Sequence, residues 1–157
     1  MARIREAEGD LSGALDLLDE AERLYLGSDA VAVEDALRRV DPHAIINCAA
    51  WTDVDGAEEH EAAATAINGA GAGNLAQPGV HLVHVSSDYV FDGTGTGAYA
   101  EDHAFSPLGV YGQTKAAGDL AVALAPRHYV VRTSWLVGDG HNFVRTMARL
   151  AATGVSP

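Results

Sequence analysis

The sequence predicts an α/β protein built on a parallel β-sheet. Three segments rich in apolar and β-branched residues, at residues 43–50, 80–86 and 128–134, have the length and composition of buried strands. Helical segments lie between them, and glycine, proline, asparagine or aspartate stands where neighbouring elements meet. Because strands alternate with helices along the chain, we expect parallel strands joined by right-handed crossovers.

The predicted helices occupy most of the chain between the strands. The first runs to about Val40, with Ser28 or Asp29 as its cap and Asp41-Pro42 as its stop signal. The others are predicted at residues 58–76, 108–125 and 142–152. Residues 93–107 contain glycine, threonine, aspartate, serine and proline and predict a long surface loop. A loop of that length inside a compact domain is usually functional.

The composition indicates one globular domain. The chain has 157 residues, of which 48% are hydrophobic and 20% charged, so it can bury a core. It has no apolar run long enough for a membrane span and no signal-peptide core. Its single cysteine, Cys48, excludes an internal disulfide and favours a reducing cytoplasm. Because Cys48 falls in a predicted strand, we expect a buried structural thiol.

The net charge and the positions of the histidines argue against two kinds of ligand, nucleic acid and metal ions. The net charge is −12, and so acidic a surface repels phosphate backbones, which argues against nucleic acid. The closest histidines, His81 and His84, stand three residues apart on a predicted strand and therefore face opposite sides. The other histidines are scattered, so we expect no metal site.

A tyrosine and the only lysine of the chain stand four residues apart in Tyr111-Gly112-Gln113-Thr114-Lys115. On a helix these two positions share one face. A nearby cation stabilises phenolate and lowers the pKa of a tyrosine towards the working range of a general acid. A ketone reductase needs such an acid to protonate the carbonyl oxygen. The alternative interpretation is a solvent-facing tyrosine and lysine.

Two hydroxyls, Ser86 and Ser87, end the strand predicted at residues 80–86. In open α/β sheets ligands bind beyond the carboxyl ends of the strands. A serine there can donate a hydrogen bond to a substrate carbonyl. The alternative is a hydroxyl that only satisfies the turn.

Four blocks of sequence together resemble the dTDP-4-dehydrorhamnose reductase family of extended short-chain dehydrogenases/reductases. They follow the family's order and spacing, and the resemblance runs from about Asp29 to Leu150. The blocks are Ile46-Asn47-Cys48-Ala49-Ala50-Trp51-Thr52-Asp53-Val54-Asp55-Gly56-Ala57-Glu58, Ser86-Ser87-Asp88-Tyr89-Val90-Phe91-Asp92-Gly93, Tyr111 to Lys115, and Arg132-Thr133-Ser134-Trp135. The resemblance implies a Rossmann-like, doubly wound parallel sheet, here incomplete, in a single partial dinucleotide-binding and catalytic domain over residues 1–157.

The resemblance also implies a role for each matching residue. Tyr111 would donate a proton to the C4 oxygen of a sugar, Ser87 would polarise the carbonyl, and Lys115 would hold the nicotinamide ribose and lower the pKa of Tyr111. The implied cofactor-binding residues are Ala49, Ala50, Thr52, Asn68, Ser86, Tyr111 and Lys115, with Asn68 supporting the lysine through water. The implied substrate-binding residues are Ser87, Asp88, Tyr89 and Trp135, although Trp135 also fits core packing.

The implied reaction is the reduction of dTDP-4-dehydro-6-deoxy-L-mannose to dTDP-L-rhamnose by NADPH or NADH. The expected partner is a dTDP-sugar in the cytoplasm, without nucleic acid or membrane, and a homodimer is left open. Two alternatives remain. One is a 4-ketoreductase for another deoxysugar of natural-product biosynthesis. The other is a non-catalytic binding or regulatory protein on the same scaffold, as in relatives that are regulatory subunits of methionine adenosyltransferase.

The chain departs from the family pattern in three places. The family opens with a strand and a Gly-x-x-Gly-x-x-Gly turn that holds the pyrophosphate, and we find no such turn here. The sequence stops at Pro157, before the family's substrate lobe, and only five residues separate Asn74 from Val80. Residues 11–26 fit an amphipathic helix by spacing, whereas the family favours two short strands at 13–17 and 23–26. We therefore expect an incomplete sheet and weakened cofactor binding.

Overall fold

The computed structural model describes residues 30–77, 79–140 and 142–154. The expectations for residues 11–26 and for a cap at Ser28 or Asp29 lie outside these residues. In chain order the described elements are α1 (Ala30–Val40), β1 (Ala44–Asn47), α2 (Val54–Glu59), α3 (Glu61–Thr65), α4 (Ala72–Asn74), β2 (His81–Ser87), α5 (Val110–Val122), β3 (His128–Thr133) and α6 (Phe143–Thr153). A π-helical segment, Ala66–Gly71, joins α3 to α4, and a 3-10 turn, Asp88–Val90, follows β2.

The sheet confirms the predicted α/β class and the parallel strand direction. β2 lies between β1 and β3 and pairs parallel with both, so that Leu82 stands beside Ile45 on one side and His128 on the other. Burial alternates along β1, because successive side chains point to opposite faces. Ile46 and Tyr129, on the less covered face, are 51% and 67% exposed. The long crossovers therefore pack mainly on the other face.

The main core lies between that covered face and the helices. Val33 and Leu37 are one turn apart on α1, so they share the apolar face that predicted this helix. They pack with Ile45 and Leu82 of the sheet, and with Ala72 and Val122 from α4 and α5. At roughly 25 cal/mol per Å² of apolar surface, such burial is the main source of stability that anchors the sheet to its helices.

The helix predicted at residues 58–76 is broken in the structure. It starts earlier, at Val54, because the Asp53 side chain accepts a hydrogen bond from Gly56 N at 3.0 Å and caps α2. His60 separates α2 from α3, and the backbone then widens into the π-helical segment. Alanine suits every turn of a helix, so the alanine pattern could not reveal these breaks.

Cys48 is exposed, and the prediction of a buried thiol is wrong. β1 ends at Asn47, so Cys48 lies in the segment that follows the strand. The strand prediction was too long at its carboxyl end, because the apolar run continues into a segment that leaves the sheet.

The loop between β2 and α5 has no helix or strand in residues 91–109, as predicted for 93–107. Its aromatic residues nevertheless organise it, because Phe91 stacks on Tyr99 with ring centroids 4.3 Å apart. Asp92 accepts hydrogen bonds from Thr94 N, Thr94 Oγ1 and Tyr99 OH, and these bonds lower the pKa of Asp92. The loop is therefore held by named contacts rather than by secondary structure.

The last described helix, α6, begins as the sequence predicts. Asn142 caps it by accepting a hydrogen bond from Arg145 N at 3.1 Å, and Gly154 ends it with a left-handed φ of 73°. Within the described ranges, none of the helices has the length and apolarity that crossing a membrane requires.

Candidate active site

The carboxyl end of β2 and the start of α5 bring three predicted site residues together. Ser87 is the last residue of β2, and it lies close enough to the Tyr111 phenol to oppose the rise of the Tyr111 pKa. Tyr89, in the 3-10 turn, packs edge-on against Tyr111 with ring centroids 5.5 Å apart. Asp88 and Tyr89 are exposed, whereas Ser87 is buried and Tyr111 is half-buried.

Ser87 also organises the turn that follows the strand. Its Oγ accepts a hydrogen bond from Tyr89 N at 3.2 Å and lies 3.3 Å from Asp88 Oδ1. The turn-satisfying role and the contact with the phenol therefore coexist in one hydroxyl. This arrangement fixes the position of the Ser87 oxygen at the end of β2.

α5 approaches the turn closely because Gly112 has no side chain. A Cβ at Gly112 would lie 2.2 Å from Tyr89 O, which is far inside contact distance. At the start of α5, Glu58 Oε1 accepts a hydrogen bond from Val110 N at 2.8 Å. This bond satisfies one of the free N–H groups of the first helical turn and connects α2 to α5.

Tyr111 and Lys115 share α5, as predicted, but Lys115 does not face solvent. Lys115 is only 2% exposed, and its Nζ donates a hydrogen bond to Val85 O at 2.8 Å. The alternative of a solvent-facing pair is therefore wrong. Burial lowers the pKa of Lys115, and the Asp119 charge opposes that effect.

The predicted lowering of the Tyr111 pKa by Lys115 is not observed. Burial raises the pKa of Tyr111 above its ordinary value, the Ser87 hydrogen bond opposes this, and the Asp88 charge adds to it. The Lys115 ammonium is directed at the Val85 carbonyl instead. The phenol consequently keeps its proton at neutral pH.

Asn68 connects the segment after β1 to α5. It lies in the π-helical segment, a distortion often found at functional sites, and is 1% exposed. Its Oδ1 accepts a hydrogen bond from Trp51 N at 2.9 Å, and its Nδ2 donates to Thr114 Oγ1 at 3.0 Å. Asn68 thus holds the residue next to Lys115, which is compatible with the predicted supporting role.

The remaining predicted residues lie on three segments. Ala49, Ala50 and Thr52 follow β1 and are exposed or half-buried, as a ligand-lining segment requires. Ser86 is buried, and its Oγ has no hydrogen-bond partner among the residues that the structure describes. Trp135 is 60% exposed and stacks on Phe143 at 3.7 Å, so it is not a core residue.

Sequence reasoning missed two polar residues buried beside the site, His84 and Asp119. His84 Nδ1 lies 2.9 Å from Asn47 Nδ2, and Asp119 Oδ2 accepts a hydrogen bond from Arg132 Nε at 2.9 Å. Helical spacing could have identified Asp119, because it stands one turn after Lys115 on the same face. No sequence pattern could have identified His84, since an apolar strand gives no reason to expect a buried partner for an imidazole.

A parallel sheet, a serine at the end of its middle strand, and a tyrosine and buried lysine one turn apart on the next helix define a domain of the short-chain dehydrogenase/reductase class. Residues 20–156 match the RmlD substrate binding domain, and the chain belongs to this family.

Several relatives agree with this assignment. The chain is 48% identical over 132 residues to a dTDP-4-dehydrorhamnose reductase of Streptomyces griseus, a match that covers 80% of this chain and 43% of that protein. It is 46% identical over 130 residues to a dTDP-4-keto-6-deoxy-D-glucose reductase of Streptomyces niveus, covering 78% of this chain and 45% of that one. The chain therefore spans about half the length of the curated relatives it matches.

A solved structure gives the same result for the fold. The dTDP-4-dehydrorhamnose reductase of Bacillus anthracis, in complex with NADP, superposes with a TM-score of 0.74 at 41% identity. That match covers 80% of this chain and 47% of the other. The Rossmann-type fold predicted for the chain is thereby confirmed.

Proposed function

We propose that this chain carries the catalytic part of an NAD(P)H-dependent reductase that converts the C4 keto group of a dTDP-deoxysugar to an alcohol. The observation that carries the proposal is that Tyr111 packs against the turn closed by Ser87, with Lys115 buried one turn further along the same helix. The preferred substrate is dTDP-4-dehydrorhamnose, with dTDP-L-rhamnose as product, because the Streptomyces griseus relative bears that name at 48% identity.

The side chains have distinct tasks in this reaction. Ser87 donates a hydrogen bond to the C4 oxygen and polarises the carbonyl. Tyr111 donates its proton to the same oxygen, and its raised pKa means that the proton is present at neutral pH. Lys115, one helical turn after Tyr111, would hold the nicotinamide ribose with its ammonium. Asp88, Tyr89 and Trp135 border the sugar.

The described residues fit the nicotinamide-ribose part of a dinucleotide. An ammonium has three donors, and the structure gives Lys115 Nζ one described hydrogen bond, to Val85 O, so donors remain for ribose hydroxyls. Ala49, Ala50, Thr52, Asn68 and Ser86 would line the same side. NADP(H), which the Bacillus anthracis relative binds, supplies the hydride when bound.

A first test measures cofactor binding. The chain is titrated with NADPH and with NADH while nicotinamide fluorescence is followed, and we expect micromolar binding with NADPH preferred. Failure to bind either at millimolar concentration would contradict the proposed dinucleotide site in this chain.

The second test replaces Tyr111 by Phe. We expect Tyr111→Phe to abolish reduction of the keto-sugar, a loss of at least about 10²-fold as for other general acids, with cofactor affinity nearly unchanged. Tyr129→Phe is the matched control, because Tyr129 is an exposed strand residue, 67% exposed. An unchanged steady-state rate in Tyr111→Phe would exclude Tyr111 as the proton donor.

A second substrate is favoured by a specific relative. The Streptomyces niveus protein is named for dTDP-4-keto-6-deoxy-D-glucose and is 46% identical, close to the first relative. Comparing kcat/KM for the two keto-sugars decides between them. Cofactor binding without turnover of either would instead favour a non-catalytic binding protein on this scaffold. The cytoplasmic location and the homodimer stay predictions.

A further inference from the structure

A buried polar chain lies beside the proposed site and has no assigned task in the reaction. It consists of Asn47 on β1, His84 on β2, Asp119 on α5 and Arg132 on β3, and it crosses the sheet from one described edge to the other. His84 and Asp119 are 0% and 2% exposed. Burying such groups is costly unless each satisfies a partner, so their arrangement calls for an explanation.

The hydrogen bonds define the state of His84. Asn47 Nδ2 is an amide nitrogen and can only donate, so His84 Nδ1, 2.9 Å away, accepts. A neutral imidazole then carries its proton on Nε2. That nitrogen lies 3.8 Å from Asp119 Oδ1, and neither atom has a hydrogen-bond partner among the described residues.

Asp119 therefore faces two donors. Its Oδ2 accepts from Arg132 Nε at 2.9 Å, and its Oδ1 faces the N–H of His84. Both neighbours direct N–H groups at the carboxylate oxygens. Of the buried residues in the described part of the chain, Asp119 is the one acidic side chain.

Lys115 is the buried cation that this carboxylate can balance. It stands one turn before Asp119 on α5, where side chains at i and i+4 share a face. Its own described hydrogen bond goes to Val85 O, a neutral carbonyl. An ammonium that is 2% exposed needs a nearby negative charge to remain protonated.

We propose that Asp119 is a positioning residue of the site, whose buried carboxylate keeps Lys115 protonated although it also accepts a hydrogen bond from Arg132. Electrostatics support this geometry, because burial lowers the pKa of Lys115 and Asp119 raises it. Burial lowers the pKa of His84, and the Lys115 charge lowers it further. The catalytic meaning of this pairing rests on the proposed function, whereas the charge coupling does not.

The other titratable groups around Lys115 are less able to act as its counter-charge. Tyr111, on the same helix, keeps its proton at neutral pH because burial raises its pKa. Asp88, in the turn after β2, and Glu58, on α2, are exposed, so water and salt screen their charges. Arg132, on β3, carries a charge of the same sign as Lys115 and opposes protonation. This leaves Asp119 as the counter-charge.

The chain offers a direct measurement, because Lys115 is its only lysine. Growth on lysine labelled with ¹³C at Cε gives one methylene signal, whose chemical shift follows the protonation of Nζ. We expect Asp119→Asn to move the midpoint of that titration down by about one pH unit or more. Asp139→Asn is the matched control, since it removes the same charge from an exposed side chain and should leave the midpoint in place.

Two further variants keep the test decisive if Asp119→Asn fails to fold. Arg132→Gln removes the competing cation and should move the midpoint up. Asp119→Glu preserves the charge and should keep the midpoint closer to the wild-type value than Asp119→Asn. A Lys115 midpoint that changes equally in Asp119→Asn and Asp139→Asn, or that does not rise in Arg132→Gln, would overturn the proposal.

Activity provides an independent readout. In a chain that turns over substrate, Asp119→Asn should shift the basic limb of the kcat/KM profile to lower pH, and Asp119→Glu should restore it. A purely structural role would lower the rate at every pH without moving that limb, which would contradict the proposal. Charge coupling in a chain without turnover would support Asp119 as the counter-charge and contradict only the reductase activity.

Discussion

Lys115 is a residue of the proposed site whose burial lowers the stability of the fold. A lysine side chain is almost never fully buried in a protein, yet here it is 2% exposed and its one described hydrogen bond is to a backbone carbonyl. Removing its charge from water costs several kcal/mol, which the Asp119 field offsets only in part. The fold therefore tolerates an unfavourable residue at the place where the proposed reaction needs a positive charge.

We expect Lys115→Met to stabilise the fold while impairing the site. Replacing a buried ion by an apolar side chain of similar volume is often stabilising by about 1–4 kcal/mol, and Asp119 would still be paired with Arg132. Urea unfolding at pH 7 should show a higher free energy of unfolding, by about 1 kcal/mol. Fluorescence titration should show weaker NADPH binding. A variant that is destabilised and binds NADPH normally would contradict both parts.

At the scale of elements, α5 determines the geometry of the site. It packs against the π-helical segment and against the turn after β2, and small residues allow both approaches. A Cβ at Gly118 would lie 2.2 Å from Asn68 O, the backbone of the residue that holds Thr114. Contact with a backbone atom cannot be relieved by rotating a side chain.

Gly118→Ala tests this close approach. Helix propensity alone would make alanine better than glycine by about 1 kcal/mol. Overpacking against a fixed backbone costs about 1–3 kcal/mol, so we expect net destabilisation in urea unfolding. Gly69→Ala is the matched control, because its Cβ would meet its nearest neighbour at an ordinary 3.5 Å. Equal or greater stability in Gly118→Ala would show that the two segments can separate without cost.

At the scale of the whole molecule, acid stability depends on the buried imidazole. Burial, followed by the Lys115 charge, lowers the pKa of His84 from 6.5 to about 4, and Asp119 opposes the shift. Folded His84 is therefore neutral at pH 5, while the unfolded chain binds a proton there. The stability that this residue contributes is complete above pH 6.5 and is lost as the pH falls towards 4.

We expect the wild-type chain to lose about 2 kcal/mol more than His84→Gln when the pH is lowered from 7 to 5. The difference between the two proteins isolates the histidine, because the acidic residues titrate in both. Urea unfolding at the two pH values measures it. Parallel losses in the wild type and in His84→Gln would mean that His84 titrates normally in the folded chain.

The parallel sheet, the helix with Tyr111 and Lys115, the turn after Ser87 and the final helix near residue 142 could all be predicted from the sequence. Each depends on local chemistry: apolar runs, helical spacing, and residues that satisfy free backbone groups. Three features depend instead on which segments pack together: the exposure of Cys48, the interruptions of the helical stretch that begins at Val54, and the burial of Lys115. A periodic pattern contains no information about such contacts between distant parts of the chain.

By itself, the sequence determined the α/β class through the alternation of strands and helices, and its resemblance to the reductase family supplied the residues of the proposed site. Only the tertiary structure decided that Tyr111 packs against the turn closed by Ser87, that burial raises rather than lowers the Tyr111 pKa, and that Asp119 lies within a polar chain from Asn47 to Arg132. Charges and hydrogen bonds act through space, and folding sets the distance and the solvent exposure on which their strength depends.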